Sequence, residues 1–139
     1  MKWRGVQGGW MVVLQRGDVL HESLQRMARE AGLRSGMITG LGAVEDVQLA
    51  YWNLPARRYE CADLAGDLEV GALVGNITSL NGEPFVHAHA VVGGSDFVAK
   101  TGHLMRARCA ATVEIFIHDG AVAIERGMDP DIGLNLCRL

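Results

Sequence analysis

Only one segment of this 139-residue chain has the periodicity of an α-helix, and this limits the folds open to it. In residues 19–31 apolar side chains recur at steps of three and four, with charged side chains between them. Asp18 is predicted to be the N-cap of this helix and Gly32 its C′ residue. The other apolar runs are strand-like and are interrupted by glycine, of which the chain has 18, a number typical of many turns and bulges.

These runs predict a sheet whose strands follow one another with short connections. Predicted strands cover residues 10–15, 37–44, 47–52, 68–80, 85–92, 107–118 and 121–126, with weaker candidates at 59–63 and 134–137. Two hairpins are expected, one turning at residues 45–46 and one at Asp119-Gly120. Short connections favour antiparallel pairing, so the predicted fold is α+β, a curled and mainly antiparallel sheet with one principal amphipathic helix. Residues 1–139 are expected to form a single domain.

Composition argues against several classes of protein. The net charge is −3 and no run of lysine or arginine exceeds two residues. The sequence therefore lacks the clustered cations that neutralise nucleic acid phosphates. No apolar run approaches the ~20 residues of a membrane span, and the first ten residues lack the apolar core of a signal peptide. A cytoplasmic protein with no membrane partner is expected. The three cysteines are widely spaced, which favours free thiols.

Residues 82–104 are the candidate functional segment of this sequence, because three of the five histidines fall within 17 residues there. His87 and His89 alternate along a predicted strand and therefore share a face. His103 follows the predicted loop 93–102 and opens the next element. Three neutral imidazoles can hold Zn²⁺ and leave a fourth position open, as in catalytic rather than structural sites. The alternative is that these histidines lie on an exposed edge strand or are hydrogen-bonded at a subunit interface.

Glu114 is the candidate acid of this site. It interrupts an otherwise apolar strand, and on the histidine face it would bind the metal or move protons for a metal-bound water. The alternative is an outward, solvated carboxylate. Asn76 and Thr78 line the same face or stabilise a turn, and His21 and His118 are interpreted as lying outside the site.

An ordered series of motifs resembles the plant and prokaryote conserved domain family, also known as domain of unknown function 296. The motifs are RGD (16–18), TGLGAV (39–44), GNIT (75–78), HAHA (87–90), GHL (102–104) and TVEI (112–115). The resemblance spans about residues 10–136. It implies a curved antiparallel sheet, a homotrimer, and kinship with the acetolactate decarboxylase fold, in which an HxH pair and a later histidine hold zinc. By position it implies the ligands His87, His89 and His103, and Glu114 as the nearby acid.

The chain departs from the family in two places. Plant members carry an AT-hook arm containing Arg-Gly-Arg-Pro, which this chain lacks, so nucleic acid is not an expected partner despite the name DNA-binding protein that bacterial relatives often carry. Thr101 stands where the family more usually has glycine before Gly102-His103.

The expected function is a small homotrimer with Zn²⁺, or another divalent transition metal, at the three histidines. Such a site would bind or transform a small metabolite, as in a metal-dependent lyase or hydrolase. Two alternatives remain, a non-enzymatic oligomerisation or regulatory module, and a DNA-binding protein.

Overall fold

A computed structural model describes all residues, 1–139, as one helix and a nine-stranded sheet. The elements in chain order are β1 (Lys2–Val6), β2 (Gly9–Gln15), α1 (Leu20–Ala31), β3 (Gly36–Asn53), β4 (Arg58–Leu64), β5 (Leu68–Leu80), β6 (Glu83–Gly93), β7 (Ala99–Asp119), β8 (Glu125–Asp129) and β9 (Leu134–Arg138). Every pairing is antiparallel except one contact between β5 and β8. The predicted fold class, a curled and mainly antiparallel sheet with one principal helix, is confirmed.

Four strands close the sheet on itself. β3 pairs with β5, β5 with β6, β6 with the start of β7, and β7 with β3 along most of its length. The apolar core includes residues on the inner side of this ring, and α1 packs against β6 and β7. Leu24 and Met27 of the helix are fully buried.

The helix matches the prediction at its end but not at its start. Gly32 has a left-handed φ of 66° and closes the helix through backbone hydrogen bonds. Val19, and not Asp18, is the N-cap residue, and no side chain caps the helix. The Asp18 carboxylate instead accepts a hydrogen bond from the Gln15 N–H (2.8 Å) and lies 2.5 Å from the amino group of Met1. The single helix, at 12 residues, is too short to span a membrane.

The hairpin predicted at residues 45–46 is wrong, because β3 continues through them for 18 residues. Its first half pairs with β5 and its second half with β4, so neither half needs to fold back on the other. The register shifts between Gly40 and Gly42, where Gly42 has a φ of 143°. A methyl group on Gly42 would collide with the carbonyl oxygen of Thr112 on β7. Glycine at this position therefore permits the bulge that bends β3.

The hairpin predicted at Asp119-Gly120 is also wrong, for a different reason. Residues 113–118 of β7 already pair with β2 on one edge and β3 on the other, so no edge is left for a returning strand. The chain turns away instead: the Gly120 N–H donates to the Ser35 carbonyl (3.0 Å), and the Ser35 hydroxyl donates to the Val122 carbonyl (2.6 Å). It then forms β8, which pairs with β9 in a C-terminal hairpin.

Gly42→Ala should lower the free energy of unfolding by about 1–3 kcal/mol, because a side chain there meets both the unfavourable φ and the Thr112 carbonyl. Gly5→Ala is the matched control, since a methyl group on this β1 residue has no neighbour within 4 Å. We expect it to change stability by less than about 0.5 kcal/mol. Urea denaturation measures both, and equal losses would contradict the role assigned to Gly42.

Candidate metal centre

The sheet brings His87, His89 and His103 together on its outer face. Along β6, Val86, Ala88 and Ala90 are buried, so the histidines between them point away from the core. His103 lies directly opposite His89 in the pairing of β6 with β7. It is therefore the fifth residue of a strand that begins at Ala99, and not the first residue after a loop at 93–102 as predicted.

The three imidazoles form a compact triangle. Their ring centroids are 5.0 Å apart for His87–His103, 5.3 Å for His87–His89 and 5.4 Å for His89–His103. One ligand nitrogen from each lies within 4.8 Å of the other two. Nitrogens bound tetrahedrally at ~2.1 Å to one ion lie about 3.4 Å apart, so each nitrogen has to move towards the ion by under about 1 Å. The donor set fits a divalent transition metal.

The surroundings keep His87 and His103 neutral. Burial lowers the pKa of His87 to about 4, and the nearby charges of His103, Arg126 and His89 act in the same direction. Burial likewise lowers the pKa of His103, helped by the charges of His89 and Arg126. A neutral imidazole has the free lone pair that metal binding requires.

Aromatic rings hold His103 from the side. Tyr59 of β4 stacks on the His103 ring with centroids 5.0 Å apart, and Trp52 packs edge-on against Tyr59 at 4.9 Å. Sequence reasoning assigned neither of these aromatic rings to the site. Their position follows from the pairing of β3 with β4, which places Trp52 opposite Tyr59.

A cavity of about 260 Å³ opens beside His87 and His103. Its other lining residues are mostly apolar and come from β4, β6, β7 and the C-terminal hairpin: Tyr59, Phe85, Met105, Arg126, Leu134, Asn135 and Leu136. No aspartate or glutamate lines it. The cavity can therefore hold a small molecule next to the histidines.

Arg126 of β8 is the residue of this cavity that sequence reasoning missed. Its Nε donates to the Thr78 hydroxyl (2.7 Å), and its two terminal nitrogens donate to the Asn76 side-chain oxygen (2.8 Å) and the Asn135 carbonyl (2.9 Å). Asn76 and Thr78 thus lie on the histidine face, as one of the two interpretations required. A single arginine in a predicted strand carries no signal by itself, and only the folding of β8 against β5 brings it here.

The other candidate residues lie outside the triangle. Glu114 is exposed on β7, opposite Leu41 of β3 and Val13 of β2, and is not among the clustered ligands. Its catalytic role stays a prediction. His118 is exposed near the end of β7. His21 on α1 is not among the clustered ligands, although its Nδ1 is buried without a partner and burial, with the charge of His103, lowers its pKa to about 4.

The chain is similar to known proteins in both sequence and structure. Residues 4–120 match the model of the Plants and Prokaryotes Conserved domain, so the chain belongs to this family. The match ends before the C-terminal hairpin that carries Arg126. A search of curated proteins finds no significant match.

Solved structures share the whole fold. A protein from Bacteroides thetaiotaomicron, whose name proposes DNA binding, superposes with a TM-score of 0.94 at 29% identity, covering 99% of this chain and 96% of its own. A plant- and prokaryote-conserved protein from Pyrococcus horikoshii has a TM-score of 0.87 at 27% identity, with coverage of 93% and 90%. A protein from Archaeoglobus fulgidus, described as metal-containing, has a TM-score of 0.87 at 27% identity, with coverage of 94% and 93%. The Bacteroides name does not fit our expectation that nucleic acid is not a partner.

The metal-free protein should lose stability on acidification. Unfolded histidine has a pKa near 6.5 and folded His87 one of about 4, so the unfolded state binds more protons between these values. The contribution is fully present above about pH 6.5 and is lost as the pH falls towards 4. Urea denaturation with a chelator, from pH 4 to 8, should show a smaller pH slope for His87→Asn than for the wild type. The exposed His118→Asn variant is the control, and an unchanged slope in His87→Asn would contradict the prediction.

Proposed function

We propose that this protein binds a divalent transition metal, zinc by the chemistry of its ligands, through His87, His89 and His103, and that the metal acts on a small metabolite in the adjoining cavity. The observation that carries this proposal is the triangle of three imidazoles, with ligand nitrogens within 4.8 Å of one another, two of which line a cavity of about 260 Å³. The Archaeoglobus relative described as metal-containing supports it.

The residues around the triangle suit a reaction centre better than a structural zinc site. Only three ligands converge, whereas structural sites close the coordination sphere with four. A bound metal would supply a Lewis acid for a substrate carbonyl or an acidified water, the chemistry of a lyase or hydrolase. The stack of Tyr59 on His103 fixes the orientation of that ring, and the apolar wall limits the access of water.

We also assign the outer sheet face to contact with other copies of the chain, as a homotrimer. Strands β3, β5 and β7 present an apolar patch there, formed by Met37, Leu41, Val74 and Phe116, each between 49% and 58% exposed. Val74 lies directly opposite His89, so the patch reaches the metal centre. An exposed apolar patch of this kind is typical of an interface, and the family resemblance sets the number of copies at three.

Two alternative functions would depend on other parts of the protein surface than the metal centre. A regulatory module would need the apolar patch but not the histidines. DNA binding is favoured by the name of the Bacteroides relative, yet the net charge is −3, and Arg106 and Arg108 are paired with Asp63 and Asp46. Retardation of duplex DNA that weakens with salt would favour that alternative.

Protein purified without a histidine tag should contain roughly one transition-metal ion per chain, measured by elemental analysis. His87→Ala and His89→Ala should each reduce this content to below about a tenth, because two imidazoles cannot replace three. His118→Ala, which removes an exposed histidine of the same strand as His103, should retain it. Metal far below one per chain that does not change in these variants would reject the metal centre.

Measuring the oligomeric state tests whether the apolar patch is an interface between copies of the chain. Light scattering should give about three times the 15.0 kDa chain mass for the wild type. Phe116→Glu and Val74→Glu should raise the dissociation constant at least about tenfold, because the interface would bury an unpaired charge. Phe97→Glu is the control, since Phe97 is 92% exposed in the loop between β6 and β7. A wild-type monomer at all concentrations would contradict the trimer.

A further inference from the structure

We propose that Arg126 is an anion-binding residue that holds the carboxylate of a small ligand in the cavity beside the histidines. The inference rests on the proposed function for the position of the metal, and it adds the chemical class of the ligand. It starts from a charge that the fold leaves without a counterion.

Arg126 is buried, with 7% of its surface exposed, yet it forms no ion pair. Its three short hydrogen bonds go to a hydroxyl, an amide oxygen and a backbone carbonyl, all of them neutral. Its guanidinium carbon also lies 5.0 Å from the centre of the Phe85 ring. A buried guanidinium normally has an anionic partner, because neutral acceptors compensate only part of its lost hydration. These contacts fix the side chain but leave its charge uncompensated.

Metal binding would take away one hydrogen-bond acceptor of Arg126, the Nδ1 atom of His87. A terminal nitrogen of Arg126 lies 3.4 Å from His87 Nδ1, and arginine can only donate, so Nδ1 is the acceptor in the metal-free protein. When a neutral His87 binds a metal, Nδ1 either coordinates the ion or carries the proton. In both cases it no longer accepts from Arg126. An N–H of a buried cation is then free for an acceptor delivered by the ligand.

The cavity selects a small ligand with one anionic group. Its volume is about 260 Å³, and Phe85, Met105, Leu134 and Leu136 supply an apolar wall. Arg126 is the one arginine or lysine that lines it, and no acidic side chain opposes an incoming anion. A planar carboxylate matches a guanidinium, whereas a phosphate dianion usually needs several cations or a helix N-terminus. We therefore assign the site to a small monocarboxylate with an apolar body.

The test compares two probes of nearly equal shape and different charge, isobutyrate and its neutral amide, isobutyramide. Calorimetric titration of the zinc-loaded protein should show isobutyrate binding at least about tenfold more tightly than the amide. Arg126→Gln should abolish this preference while retaining the bound zinc. Arg126→Lys, which keeps the charge but not the planar fork, should lose part of it. Arg106→Gln, at an exposed arginine, is the matched control and should behave as the wild type.

Two results would overturn the proposal: equal affinity of the wild type for both probes, and an unchanged preference in Arg126→Gln. Inorganic phosphate binding more tightly than isobutyrate would also overturn the assignment to carboxylates. The comparison of isobutyrate with isobutyramide on the wild-type protein tests the proposal even if Arg126→Gln fails to fold. Two measurements on metal-free protein separate the proposals: the uptake of added zinc, and the titration with both probes. A protein that takes up no zinc but still prefers isobutyrate would reject the metal centre and keep the anion site.

Discussion

The pairing of β6 with the first residues of β7 is the contact on which the rest of this structure depends. It closes the ring of four strands and places His103 directly across from His89. Without this pairing, one edge of β6, the strand that carries His87 and His89, would have no partner strand. Because β7 is 21 residues long, the same strand that supplies His103 also pairs with β3 along most of its length and with β2 at its other end. The site and the core are thus built on one continuous strand.

Small residues let the strands approach closely enough to form this arrangement. A methyl group on Gly102 would lie 2.9 Å from the Ala50 carbonyl oxygen, and one on Gly75 would lie 2.8 Å from Ala88 Cα. These two glycines flank the histidines, one beside His103 in the chain and one in register with Ala88. Thr101, where the family more usually has glycine, is exposed and does not prevent the pairing of His103 with His89. The position of the three imidazoles is therefore set by backbone packing.

The electrostatics of the site follow from what the fold excludes. Burial, helped by neighbouring positive charges, keeps His87 and His103 neutral, and Arg126 adds a positive charge that no acidic side chain of the cavity balances. A metal would increase that positive charge further. Burial and the positive charge of Arg126 lower the pKa of His87 and His103, and that same charge favours an anionic ligand.

The sequence by itself determined the strand-rich fold class, the single helix, and the set of three histidines, because these depend on local periodicity and on residue type. Alternation along residues 85–92 was enough to place His87 and His89 on one face. Only the tertiary structure decided the rest. Whether residues 45–46 and 119–120 turn back depends on which strand edges are already occupied, and that is a long-range property. Arg126 reaches the histidines through the contact of β8 with β5, between segments more than 40 residues apart. No local pattern records such a contact, because its free energy comes from groups that meet only when the sheet has closed.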